Sequence, residues 1–236
     1  MELELIGFDA DDTLWHNERL YRMVRERFNQ LMSGYHVDQT FDERVDLIET
    51  ANLAFYGYGA MGFILSLIEA GIELTQGQFS SKDVRALIEL GKEMLGAKVQ
   101  LFDHAEKTIA SLSKRCPLML ITKGDLNHQL AKVDHSGLAS YFKYIEVVHD
   151  KTEAIYRSVL EKANVNPAHF VMVGNSLRSD ILPVIDIGGW AIYIPNDMTW
   201  SHEQTHIQDQ HLPRFFQVSK LEELEHLFES LIPTKI

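Results

Sequence analysis

The segment Phe8-Asp9-Ala10-Asp11-Asp12-Thr13-Leu14-Trp15 decides how the rest of the chain is read. Leu5, Ile6 and Phe8 form an apolar, strand-like run, and three carboxylates, Asp9, Asp11 and Asp12, follow at once. A charge at the mouth of a core strand resists desolvation unless something compensates it. The segment therefore predicts partners elsewhere in the sequence.

Beyond this strand the apolar spacing divides the chain in two. Between about Glu18 and Gly96 strand-like alternation is nearly absent. Leu20, Met23, Val24, Phe28 and Leu31 recur at helical spacing, as do Val84, Leu87, Ile88 and Leu95. Val45 with Ile48, and Phe63 to Ile68, suggest two further helices. From about Leu101 helix and strand alternate, with strand-like runs at 118–122, 144–148, 170–174 and 190–194, then a short FFQV run and a closing helix. Short β-branched runs between helices predict an α/β protein: a Rossmann-like, doubly wound parallel sheet, covered on both faces. The expected division is a core of residues 1–16 and 98–236 with a helical insertion over residues 17–97.

The chain has 236 residues and a net charge of −12, with 22 Lys and Arg against 34 Asp and Glu. That balance argues against non-specific affinity for nucleic acid or an anionic membrane, which need a basic surface. Cys116 is the single cysteine, so no internal disulfide forms, as befits a reducing compartment. With no bilayer-length apolar run and no leader-like start, the expected location is the cytoplasm.

Ligands of an open parallel sheet bind beyond the carboxyl ends of its strands. Four strand-like runs end in chemically unusual residues: Asp9-Ala10-Asp11, Thr122-Lys123-Gly124, Asp150-Lys151 two residues beyond its run, and Gly174-Asn175-Ser176 with Asp180 close behind. Carboxylates, a hydroxyl, lysines and a small-residue turn are the parts that hold a divalent cation and a phosphate together.

In order and spacing, FDADDTLW, LITKGD, Lys151 and VGNSLRSDI resemble the four motifs of the haloacid dehalogenase-like hydrolase superfamily, in its phosphatase branch with a helical cap of the C1 type. The resemblance implies a Mg²⁺-dependent phosphatase acting on a small phosphorylated metabolite through an aspartyl-phosphate, with the insertion as the cap. Asp9 would be the nucleophile. Asp11 would be the general acid and then the base, kept protonated by its charged neighbour, with its backbone carbonyl on the metal. An acidic residue at this position favours phosphate chemistry over dehalogenation, because a halide leaves without a proton. Thr122 and the backbone near Gly124 would hold the phosphoryl oxygens, and Lys151 would neutralise charge on the nucleophile and the transferring group. Asp180 would complete the metal shell, with Asn175 a secondary ligand that brings one less negative charge.

Several positions depart from the motif pattern or invite other readings. Asp12 stands where glycine is common and is read as turn chemistry, with Thr13 holding the turn. Lys123 stands where asparagine is frequent, and either reaches substrate or is solvated. Thr152 replaces the proline that usually follows the motif lysine. Trp15 and His16 are part of a flap over the site or of interface packing. The glycine cluster in residues 57–63 is read as a cap bend or a substrate-facing loop. His202, His206 and His211 are read as surface residues despite one i,i+4 pair, since no zinc-protease pattern accompanies them. The competing readings are a phosphomutase of the same family and a signalling receiver domain. A receiver is about half this length and has no place for the insertion.

Overall fold

The computed structural model describes residues 2–36, 40–198 and 214–231. His202, His206 and His211 lie outside the described residues. Among those described, no helix is long and apolar enough to cross a membrane.

The first strand, β1 (Leu5–Phe8), lies at the centre of a six-stranded sheet. The others are β2 (Leu118–Lys123), β3 (Tyr144–Val148), β4 (Phe170–Gly174), β5 (Trp190–Tyr193) and β6 (Phe215–Gln217). Their order is β3-β2-β1-β4-β5-β6, with every pairing parallel. Winding proceeds from β1 to β2 and β3 on one side, then returns across β1 to β4. The crevice where the direction reverses is the ligand site of a doubly wound sheet, and the loops after β1 and β4 meet there.

Alternate residues of the central strands feed two apolar layers. Ile6, Phe8, Leu118, Leu120, Val171 and Val173 share one core with Ile109 and Leu112 of α5 (Ala105–Leu112) and Leu224 and Phe228 of α9 (Glu223–Leu231). Leu5, Met119, Ile121, Phe170 and Met172 pack on the other face against Tyr156, Val159 and Leu160 of α7 (Glu153–Ala163) and Val184 of α8 (Leu182–Asp186). Coverage of both faces explains why these strands read as continuous apolar runs.

The insertion forms α1 (Glu18–Met32), α2 (Phe41–Tyr56), α3 (Ala60–Leu74) and α4 (Ser81–Leu95), around a separate core of Val24, Phe28, Val45, Leu67, Leu87 and neighbours. Two strand-like crossings join it to the sheet domain, where His16 N–H donates to the Gln100 carbonyl at 3.0 Å and Trp15 bridges to Leu101. Trp15 is fully buried in the core, and His16 packs against Phe102 with ring centroids 4.0 Å apart and ring planes tilted by 50°. Of the two readings of this pair, interface packing is the one observed.

Asp12 shows why a carboxylate can stand at a position suited to glycine. Its φ is 60°, in the left-handed region that Asp tolerates better than most residues. Its carboxylate accepts from the N–H groups of Asn17 (2.9 Å) and Glu18 (2.9 Å to the nearer oxygen). Those are open donors at the start of α1, whose own N-cap residue Asn17 makes no side-chain cap. Burial pushes the Asp12 carboxyl up to about 6. Thus Asp12 ties the turn after β1 to the first helix of the insertion.

Replacing Asp12 by Ala loses the helix-end bonds, about 0.5–2 kcal/mol, and adds about 1–2 kcal/mol of left-handed strain. Asp12→Gly loses only the first. Thermal melts should rank wild type above Asp12→Gly and Asp12→Gly above Asp12→Ala; equal melting temperatures for the two variants would contradict the strain argument.

Candidate active site

Three side chains on three different loops meet beyond the carboxyl ends of β1 and β4. Asp9 follows β1, Lys151 precedes α7, and Asp180 lies in the turn after β4. The Lys151 ammonium donates to Asp9 Oδ1 at 2.5 Å and to Asp180 Oδ1 at 2.7 Å. Lys151 is 3% exposed, so it is not the solvated helix-start lysine that its sequence context alone would suggest. The two carboxylates hold its amine firmly protonated, well above the ordinary lysine range despite burial. Thr152, standing in place of a proline, caps α7 through its hydroxyl, which accepts from the Ile155 N–H at 3.4 Å.

Asp9 is fixed from both sides. Its Oδ2 accepts from the Thr13 hydroxyl at 2.7 Å, and the same hydroxyl lies 3.2 Å from Asn175 Oδ1. Thr13 therefore serves the carboxylate rather than the turn alone. Asp180 is placed by an irregular turn: Leu177–Ile181 forms one π-helical turn and α8 is a single short turn, where a plain helix was expected. The cause is local. Pro183 has no N–H for the Ser179 carbonyl four residues back, and the Tyr156 hydroxyl donates to that carbonyl instead at 3.0 Å. Asp180 Oδ2 accepts from the Ser176 N–H at 3.0 Å. Gly174 makes room for this carboxylate, because a Cβ there would lie 2.3 Å from Asp180 Oδ2. Burial pushes the Asp180 carboxyl up, with Lys151 opposing the shift.

Asp11 faces a different set of partners. Its carboxylate accepts two bonds from Lys132 (2.6 and 2.7 Å), one from Trp15 Nε1 (2.6 Å) and one from Gln129 Nε2 (3.0 Å). Burial raises its pKa, but Lys132 and the hydrogen bonds outweigh burial and hold the carboxyl below the ordinary carboxylate range. The protonated Asp11 expected from the sequence is thus corrected: this arrangement favours the anion, because three donor groups, one of them an ammonium, converge on it.

Gln129 and Lys132 were not singled out from the sequence, and the reason is instructive. In α6 (Leu126–His135) the apolar residues Leu126, Leu130 and Val133 recur at helical spacing, which by itself would put them on the inward face. Instead Leu126 is 55% and Leu130 43% exposed, while Gln129 is 2% and Lys132 9% exposed. Only Val133 packs in the core. The Gln129 amide donates to Thr122 Oγ1 at 2.8 Å and closely to the Lys123 carbonyl, while its own Oε1 is buried without a partner. Such an orphaned acceptor costs about 1–3 kcal/mol. Their sequence signal was a spacing of three on one helix, legible only once Asp11 was known to need donors.

Of its two readings, the solvated one fails for Lys123: its side chain is 13% exposed and borders the cavity. Its ammonium donates to Ser179 Oγ at 2.9 Å and lies 4.1 Å from the centre of the Tyr58 ring, in the glycine cluster of the insertion. The same loop bends at Gly59, with φ of 124°, and a Cβ there would meet the Asp125 backbone nitrogen at 3.3 Å. Residues 57–59 therefore rest on the Thr122-Lys123-Gly124 turn and face the site.

Between sheet edge and insertion lies a cavity of about 470 Å³. Asp9, Asp11, Thr122, Lys123, Gly124, Lys151, Asn175 and Asp180 line its floor, so every position inferred from the four motifs borders one space. Its roof includes Glu18, Tyr21, Arg25, Glu49, Asn52 and Phe63. Arg25 is matched there by Glu49 at 2.8 Å and Asp46 at 3.1 Å. Burial pushes Glu49 up to about 7 and Glu18 to about 8.

Comparison with known proteins agrees with the motifs. Residues 3–188 match the family model of haloacid dehalogenase-like hydrolases. The chain is similar to a haloacid dehalogenase-like family hydrolase from Xanthomonas campestris of known crystal structure, with 36% identity, a TM-score of 0.87, and coverage of 98% of this chain and 92% of that one. It is 26% identical over 197 residues to N-acylneuraminate-9-phosphatase of Mus musculus, covering 78% of each chain. Against glyceraldehyde 3-phosphate phosphatase of Pyrococcus furiosus it is 24% identical over 196 residues, covering 79% of this chain and 78% of that protein. With the match running from β1 through the loop that carries Asp180, the chain belongs to the haloacid dehalogenase-like hydrolases.

Proposed function

We propose that this hydrolase is a Mg²⁺-dependent phosphatase of small phosphomonoesters, with residues 17–97 as a cap over a core of residues 1–16 and 98–236. The observation that carries the reading is the pairing of Asp9 with buried Lys151 next to a second acidic residue, Asp11, on the same turn. The relatives whose names specify phosphorylated compounds support the phosphate chemistry. The cavity of about 470 Å³ has the size of pockets for small metabolites.

Asp9 is the nucleophile. Lys151 and Thr13 hold its two oxygens, so the carboxylate is fixed in orientation at the floor of the cavity. Attack forms the Asp9–phosphorus bond and breaks the bond to the leaving oxygen, giving an aspartyl-phosphate that water then cleaves. Lys151 neutralises negative charge gathered on the transferring group. Thr122 and the N–H groups near Gly124 bind its oxygens. Asp11 protonates the leaving oxygen and then takes a proton from the attacking water. Its resting anionic form suits the second task. For the first it takes up a proton as the substrate's phosphate adds negative charge beside it, which raises a carboxyl pKa.

The carboxylates of Asp9 and Asp180, the amide oxygen of Asn175 and the Asp11 carbonyl are hard oxygen donors of the kind Mg²⁺ prefers, and Gly174 leaves the space that Asp180 fills. These residues fit the ion and would hold it. When bound, it would screen the approach of an anionic carboxylate to an anionic phosphate. The cap would exclude water and contact the leaving group through residues such as Glu18, Asn52 and Phe63. A lone buried Cys116 is consistent with work in the cytoplasm.

Two tests follow from these assignments. An aryl phosphate should be hydrolysed only with Mg²⁺ present, and Asp9→Asn should reduce the rate to background; near-wild-type turnover by that variant would refute the nucleophile. For Asp11→Asn, kcat should fall by roughly 10²–10⁴ with an alkyl phosphate and far less with a nitrophenyl phosphate. Equal losses on both substrates would remove the acid role.

A further inference from the structure

We propose that Gln129 and Lys132, on the inward face of α6, are positioning residues for the phosphatase reaction: Lys132 and Gln129 together set the Asp11 carboxylate, and Gln129 aims the Thr122 hydroxyl. The proposal rests on the phosphatase reading and extends it to residues outside the four motifs.

The first observation is the inversion of α6. A helix on an open sheet gains stability by turning its leucines inward. Here Leu126 and Leu130 face outward, and a glutamine and a lysine take the buried positions. Both buried groups are committed to the site. Lys132 grips both oxygens of Asp11, and it also lies 3.2 Å from Asn17 Oδ1 at the junction with the insertion.

The second observation concerns protons. An amide NH₂ cannot accept, and its two protons are shared among Asp11, the Lys123 carbonyl and Thr122, so the Thr122 hydroxyl does not donate in its 2.8 Å contact with Gln129. The hydroxyl's own proton is then available for another acceptor, and Thr122 is almost fully buried at the floor of the cavity. Among the described residues no acceptor takes that proton, so a phosphoryl oxygen in the cavity is its natural partner. The reverse amide orientation is excluded by charge: it would bring Oε1 against the Asp11 carboxylate and the Lys123 carbonyl, both acceptors. That constraint leaves Oε1 buried and unpaired. Gln129 therefore acts through Thr122 and Asp11 and needs no contact with substrate itself.

The two residues predict different kinetic signatures. Gln129→Glu places an acceptor where a donor stood, so Thr122 turns its proton toward Glu. Competitive inhibition by inorganic phosphate should weaken roughly 10-fold or more, the equivalent of one hydrogen bond to a charged group. Lys132→Met keeps the volume but releases Asp11. Its kcat should fall roughly 10²-fold for an alkyl phosphate and roughly 10-fold or less for a nitrophenyl phosphate, with KM little changed. Lys132→Arg restores a bidentate donor and should recover most of the alkyl-phosphate rate, which also covers the case in which Lys132→Met does not fold. Melting curves by circular dichroism accompany each variant. Equal rate losses on both substrates in folded Lys132 variants, with an unchanged phosphate inhibition constant in Gln129→Glu, would overturn the positioning roles while leaving the phosphatase standing. Absence of wild-type turnover on either phosphate would overturn the phosphatase reading and this proposal with it.

Discussion

One ammonium group shared by two buried carboxylates is the constraint around which this molecule is built. Lys151 lies between Asp9 and Asp180, and all three are nearly inaccessible to water. Taking such charges out of water costs several kcal/mol per ion unless geometry and hydrogen bonds compensate. The compensation is assembled from distant parts: Thr13 on Asp9, the Ser176 N–H on Asp180, and three rigid loop-to-strand junctions that hold the ions in register. Two carboxylates share one ammonium, so a second cation would complete the cluster. A Mg²⁺ ion would supply it, which is why the resting electrostatics and the proposed cofactor belong to one account.

The second acidic position shows a similar logic with other means. Asp11 is two residues from Asp9 but belongs to another network, with Lys132, Gln129 and Trp15. Separate cations for the two carboxylates keep them chemically distinct, as the proposed roles of attack and proton transfer require. The insertion is coupled to both networks through short contacts. Asp12 holds the first turn of α1, Lys132 reaches Asn17, and Lys123 lies against Tyr58. Movement of the insertion would therefore be felt at Asp11 and at the Thr122-Lys123-Gly124 turn.

The architecture was largely legible because parallel strands buried on both faces give unbroken apolar runs, and because each loop residue of interest follows such a run. Asp9, Thr122, Lys151, Asn175 and Asp180 were all placed at strand ends by pattern alone, and all border the cavity. What stayed hidden depends on tertiary context. The α6 pattern pointed its leucines inward, and only the demand of Asp11 for donors reverses it. The π-turn that sets Asp180 arises from Pro183 and a tyrosine 27 positions before it in the chain. Neighbouring charges suggested a protonated Asp11, because Lys132, more than a hundred residues away, is invisible to local reasoning.

The central claim is that Asp9, paired with Lys151, carries the phosphoryl group during turnover. Rapid acid quenching of the enzyme during hydrolysis, followed by borohydride reduction and peptide mass spectrometry, tests it directly. The account predicts conversion of Asp9 to homoserine, the reduction product of an acyl phosphate, in wild type and in no Asp9 variant. Turnover with Asp9 unmodified, or with the reduction product at another carboxylate, would contradict it.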